Sequence, residues 1–150
     1  MKKIITAALL TMTTLSFAAT TATLQLKGTI AQALDISIVA EGVATSLNLT
    51  QNASSLKVAT LNEKSNSNTG YKVTVSSLNN GKLKNGTFLF PYTLGYNSQQ
   101  LNLNSPQTQV YSVAAHNVTK DVSISYTGVA QESLVAGDYT DTVTFTIAAN

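Results

Sequence analysis

Apolar residues that return at every second position dominate this chain, and a period of two is the mark of a β-strand with one buried face. The strongest case is AGDYTDTVTFTIAAN, Ala136 to Asn150. There Tyr139, Val143, Phe145, Ile147 and Ala149 share one face, while Thr140, Thr142, Thr144 and Thr146 share the other. A second series runs through Leu24, Leu26, Ile30, Leu34, Ile36 and Ile38, with gaps at Gly28 and Gln32. Shorter runs follow at Leu47 with Leu49, Leu56 with Val58, Tyr71 to Val75, Phe88 to Tyr96, and Val122 to Tyr126. No stretch holds the helical period of about 3.6 residues over three turns. Turn signals separate the runs: Ser65 to Gly70, Asn79-Asn80-Gly81, Lys84-Asn85-Gly86 and Gly137-Asp138. The pattern predicts an all-β sandwich. Pro91 cannot donate to a ladder, so the run around it is expected at an edge or a bulge. Gly28 is expected to divide an N-terminal arm, residues 19–27, from a body spanning 28–150.

The first 18 residues read as a secretory leader. Lys2 and Lys3 precede an apolar run from Ile4 to Leu15, and Ser16-Phe17-Ala18 supplies the small residues of a cleavage site. That run is shorter than the ~20 residues needed to span a bilayer. Without the leader the chain keeps seven lysines against seven acidic residues and has no arginine, so its net charge is about zero. The absence of a basic cluster argues against a nucleic-acid partner, where several neutralised phosphates supply the affinity. With no cysteine, an exported chain of this kind must draw its stability from a β-core or from association with neighbours.

No active site is legible. His116 is the single histidine and reads as a surface residue near a strand end. Glycine loops for phosphate, a nucleophile elbow and metal-ligand spacings are all missing. Asp138 and Asp141 are the closest acids of interest, and alternation sets them on opposite faces of one strand. The expectation is no enzyme, no cofactor and no metal. The six tyrosines offer flat rings that could stack on sugars, though their alternation suits a sandwich core equally well.

The stretch Thr23-Leu24-Gln25-Leu26-Lys27-Gly28-Thr29-Ile30, followed by Ala33 to Ile38, resembles the start of chaperone-usher pilins, the subunits of bacterial fimbriae. Gly137 to Ile147 resembles their C-terminal strand, with Gly137 fourteenth from the end, where that family carries a glycine. The middle, Gly70 to Val75 and Tyr92 to Tyr96, is similar to the spore coat protein U and archaic-pilus branch. The resemblance implies an incomplete immunoglobulin-like β-sandwich that lacks its last strand, with an N-terminal donor-strand arm. It also implies donor-strand residues Thr20, Ala22, Leu24 and Leu26. Gly137, Tyr139, Val143, Phe145 and Ile147 would form the acceptor groove and chaperone edge. The implied partners are a periplasmic chaperone, an outer-membrane usher and other copies of the subunit in a homopolymer, with a host glycan or protein as receptor. The implied location is the cell surface, reached through the periplasm. The alternative reading is a self-sufficient secreted β-sandwich that binds carbohydrate through its tyrosines.

Overall fold

The structure, a computed structural model, describes residues 19–113 and 116–150, so the expected leader lies outside the described residues. The chain divides after Ile30 into two units. The described part of the first, residues 19–30, contains no helix or strand, and its side chains are exposed. The second, Ala31–Asn150, is all-β.

Its strands are β1 Leu34–Ala40, β2 Ala53–Ser65, β3 Tyr71–Ser77, β4 Lys82–Asn85, β5 Phe88–Pro91, β6 Thr93–Tyr96, β7 Gln99–Leu101, β8 Gln107–Tyr111, β9 His116–Tyr126 and β10 Val143–Ala149. They form a five-stranded sheet in the order β1-β2-β9-β6-β7, a three-stranded sheet β10-β3-β8 and a two-stranded ribbon β4-β5. Every pairing is antiparallel. The larger sheets face each other across a core in which Tyr71, Val73 and Val75 of β3 meet Leu61, Val122 and Ile124 of β2 and β9. The alternating residues become the buried ones because successive side chains of a strand point to opposite faces.

Local chemistry explains where the alternation stops being a strand. Leu47 and Leu49 pack against the core without joining a ladder. The Asn48 carboxamide oxygen between them accepts hydrogen bonds from the Thr50 amide at 3.1 Å and its hydroxyl at 2.7 Å. Such a side-chain turn competes with strand pairing. Pro91 ends β5, and the chain then passes from the two-stranded ribbon into the five-stranded sheet at β6. The long N-terminal series likewise becomes a strand only from Leu34. Just before it, the Asn66 side chain accepts from the Ala33 amide at 2.6 Å and donates to the Ala31 carbonyl at 2.9 Å.

The last strand begins at Val143 rather than at Tyr139. Thr140 pairs instead with Lys84, exchanging backbone hydrogen bonds of 2.9 and 3.0 Å. The Asp141 carboxylate accepts from the Asn79 amide at 3.0 Å, the Thr142 amide at 2.7 Å, the Ser77 hydroxyl at 2.5 Å and the Tyr92 hydroxyl at 2.7 Å. Asp141 is thus a clasp between three segments rather than an exposed strand residue.

A polar cluster crosses the core between the facing sheets. Glu63 of β2, with no exposed surface, accepts from Tyr71 of β3 at 2.7 Å, from the Lys120 ammonium of β9 at 2.8 Å and from the Tyr96 hydroxyl of β6. The Lys120 nitrogen also lies 3.4 Å from the ring centroid of Tyr111 on β8. His116, expected at the surface, instead stacks on Tyr111 and lies tilted against Tyr71, with centroids 6.1 and 5.1 Å away. As the first residue of β9 it continues the inward row of that strand, which draws its ring over the two tyrosines.

Two outcomes follow for stability. Gly70 has a φ of +88°, and a Cβ there would run into the Tyr111 carbonyl oxygen. Gly70→Ala should therefore cost more than about 1 kcal/mol, read as a lower urea midpoint at unchanged slope. Burial pushes the hydroxyls of Tyr71, Tyr92, Tyr96 and Tyr126 up from their ordinary range, reinforced by Glu63 at Tyr71 and Tyr96 and by Asp141 at Tyr92. A tyrosine pKa raised on folding stabilises fully below the unfolded value and loses that contribution as pH climbs. The urea midpoint should therefore hold steady up to about pH 10 and fall above it.

Candidate strand-docking cleft

The two facing sheets expose free edges toward the same seam. β1 is the edge of the five-stranded sheet and pairs only with β2, while β10 is the edge of the three-stranded sheet and pairs only with β3. No ladder joins β1 to β10 among the described residues. From β1 the side chains of Leu34 and Ile36 are half-buried, and Ile38 is 51% exposed. From β10 Val143, Phe145 and Ile147 are half-buried. Between them lies a cavity of about 220 Å³ lined by Ile36, Ser37, Ile38, Leu61, Val143, Thr144 and Phe145.

A second, larger cavity of about 540 Å³ borders residues 44–47, Leu49, Leu83 and residues 137–141. The 3-10 turn Gly42–Thr45 continues β1, and residues 137–141 lead into β10, so the second cavity prolongs the seam of the first.

What such a seam can do follows from its unsatisfied groups. Each edge strand carries backbone N–H and C=O groups pointing away from its one neighbour, beside apolar side chains that are only half covered. Proteins ordinarily blunt such edges with proline, lysine or charge. β10 contains no charged residue or proline, and β1 contains only Asp35. The arrangement suits an extended segment with apolar side chains at alternate positions, inserted between the two strands.

The residues expected from the sequence are placed as follows. Val143, Phe145 and Ile147 lie together on the inner face of β10, with the Phe145 ring 5.7 Å from that of Tyr96 in an edge arrangement. Gly137 and Tyr139 belong to the loop before β10 and line the larger cavity. The Tyr139 hydroxyl accepts from the Val135 amide at 3.2 Å. Gly137, at φ +136°, leaves room for the Asn85 side chain, which a Cβ would meet at 2.7 Å. Thr20, Ala22, Leu24 and Leu26 all lie in the first unit and are exposed, the two leucines at 83% and 87%.

Two features add to these residues. Ile36 and Ile38 form the second wall of the cleft, with Leu34 half-buried on the same face of β1; their alternation predicts a strand but not that the strand is an edge. Ile30, 89% exposed, belongs to the first unit and extends the even-numbered apolar series of the arm past Gly28.

The other candidates take structural roles. Tyr71, Tyr92, Tyr96 and Tyr126 are buried and so offer no ring face to a sugar. Among the described residues no three side chains of the types that ligate metals converge. Compared with known proteins, the chain matches no family model and no curated protein.

Proposed function

We propose that this chain is a structural subunit of a bacterial surface fimbria, polymerised by donor-strand exchange after handling by a periplasmic chaperone and an outer-membrane usher. On this reading its facing sheets are an immunoglobulin-like sandwich lacking one strand, and the arm of a second copy supplies it. The observation that carries the reading is the pair of unblunted edges, β1 and β10, flanking a half-covered apolar seam.

The arm has the matching pattern. Ala22, Leu24, Leu26 and Ile30 fall on even positions, and Val143, Phe145 and Ile147 of β10 repeat with the same period of two. An inserted strand would place its apolar side chains inward and its backbone against both edges. Burying Leu24 and Leu26 is worth about 3 to 6 kcal/mol together, and each ladder hydrogen bond adds about 0.5 to 1.5 kcal/mol. The chaperone would cover the same edges until a neighbour's arm replaces it.

Two experiments test this. A synthetic peptide of residues 19–30 should bind the full-length chain carrying Leu24→Asp and Leu26→Asp, and the same peptide with both aspartates should bind about a hundredfold more weakly or worse. Equal binding of the two peptides would refute the assignment. In cells, deletion of residues 19–27 should leave a subunit that co-purifies with chaperone yet fails to extend fibres. Fibres of normal length from that variant would sink the idea.

A further inference from the structure

The two edges of the cleft are close but unpaired. Cα atoms of β1 and β10 approach within 8 Å, whereas two strands that share a third between them stand two ladder spacings apart, about 9.5 Å. Two strands paired directly would be about 4.8 Å apart. The two edges therefore come close enough to touch, yet no ladder joins them among the described residues. Two apolar walls with free hydrogen-bonding edges have every reason to close fully, so something holds them apart.

The polar cluster stands directly behind that seam. Ile36 of β1 is the ladder partner of Glu63, and Phe145 of β10 packs edge-on against Tyr96. Glu63, Lys120 and Tyr96 belong to the five-stranded sheet, while Tyr71 and Tyr111 belong to the three-stranded one. The links between the sheets are the Tyr71 hydroxyl donating to Glu63 at 2.7 Å, the Tyr111 hydroxyl donating to that of Tyr96 at 3.2 Å and the Lys120 ammonium over the Tyr111 ring. Apolar packing tolerates sliding and repacking. A buried carboxylate does not, since losing any donor leaves charge unsatisfied in a medium of low dielectric.

We infer that the Glu63, Lys120, Tyr71, Tyr96 and Tyr111 cluster is a polar stop between the sheets, which arrests closure of the β1/β10 cleft short of direct pairing and keeps it receptive to an incoming strand. The receptive role rests on the strand-exchange reading above, but the stop itself does not. Glu63 and Lys120 are then positioning residues for the cleft walls, acting through Tyr96 and Phe145 on one side and Ile36 on the other.

The test is the double substitution Glu63→Leu with Lys120→Met in the full chain, which removes both charges at similar volume and so avoids stranding either one. Hydrogen exchange of the outward amides of β1 and β10 should slow by about tenfold or more as the strands close on each other. In the same variant carrying Leu24→Asp and Leu26→Asp, capture of the 19–30 peptide should weaken on the order of tenfold. A cluster that served stability alone would move exchange the other way or leave it unchanged, and either result overturns the stop.

Should the double variant fail to fold, Glu63→Gln with Lys120→Met removes both charges while keeping a side chain that hydrogen-bonds the tyrosines, and should shift exchange at β1 and β10 in the same direction by a smaller factor. Unchanged or faster exchange there overturns the stop equally. If the parent chain captures no peptide while exchange still slows in the variant, the strand-exchange reading fails and the stop stands.

Discussion

A carboxylate wholly withdrawn from water fixes the separation of the two main sheets. Glu63 is held by two tyrosine hydroxyls and an ammonium, and its donors come from both sides of the core. Taking such a charge out of water costs several kcal/mol even after relaxation, which its partners must offset. That demand dictates its neighbours. Tyr71 must reach across from β3, Lys120 must fold inward from β9 beside Leu61, and the aromatic rings of Tyr111 and His116 pack where an aliphatic core would otherwise continue. An apolar core of the same volume would have been easier to build and would define its geometry less tightly.

From this spacing follows the character of the seam. An antiparallel sandwich usually satisfies its outer strands or disguises them, yet here the two edges that face one another carry a single charge between them, at Asp35. The five-stranded sheet ends at its other side in the three-residue β7, too short to template much pairing. On the proposed function, fold and activity meet in one place, where incompleteness in the ladders coincides with incomplete burial of Ile38, Val143 and Phe145.

Much of the fold was legible from alternation, because a period of two survives wherever one face of a strand is buried. Tyr71 to Val75 and Val122 to Ile124 became core residues as their pattern demands. What could not be read depends on partners distant in the chain. Alternation from Tyr139 to Ile147 is interrupted in sequence only at Asp141, whose partners Ser77, Asn79 and Tyr92 pull the backbone out of the strand. Leu47 and Leu49 alternate too, but the short-range turn at Asn48 outweighs a ladder. One wall of the cleft was visible in β10, while the wall formed by β1 was hidden, since nothing local to Leu34, Ile36 and Ile38 tells whether a strand has one neighbour or two. The Glu63 cluster left no signal at all, as a lone Glu in a strand looks like any solvated one.

The clasp at Asp141 has a consequence for β10 itself. A strand that repeats Val-Thr-Phe-Thr-Ile and is laddered on one side only could slide by two residues and still bury an apolar face. Three hydrogen bonds to Asp141 from Ser77, Asn79 and Tyr92, two residues ahead of Val143, forbid that slide by fixing the phase of the strand at its origin. The free amides and carbonyls of β10 consequently occupy a single set of positions, as the teeth of a rack do, and anything that meshes with them must arrive in one alignment.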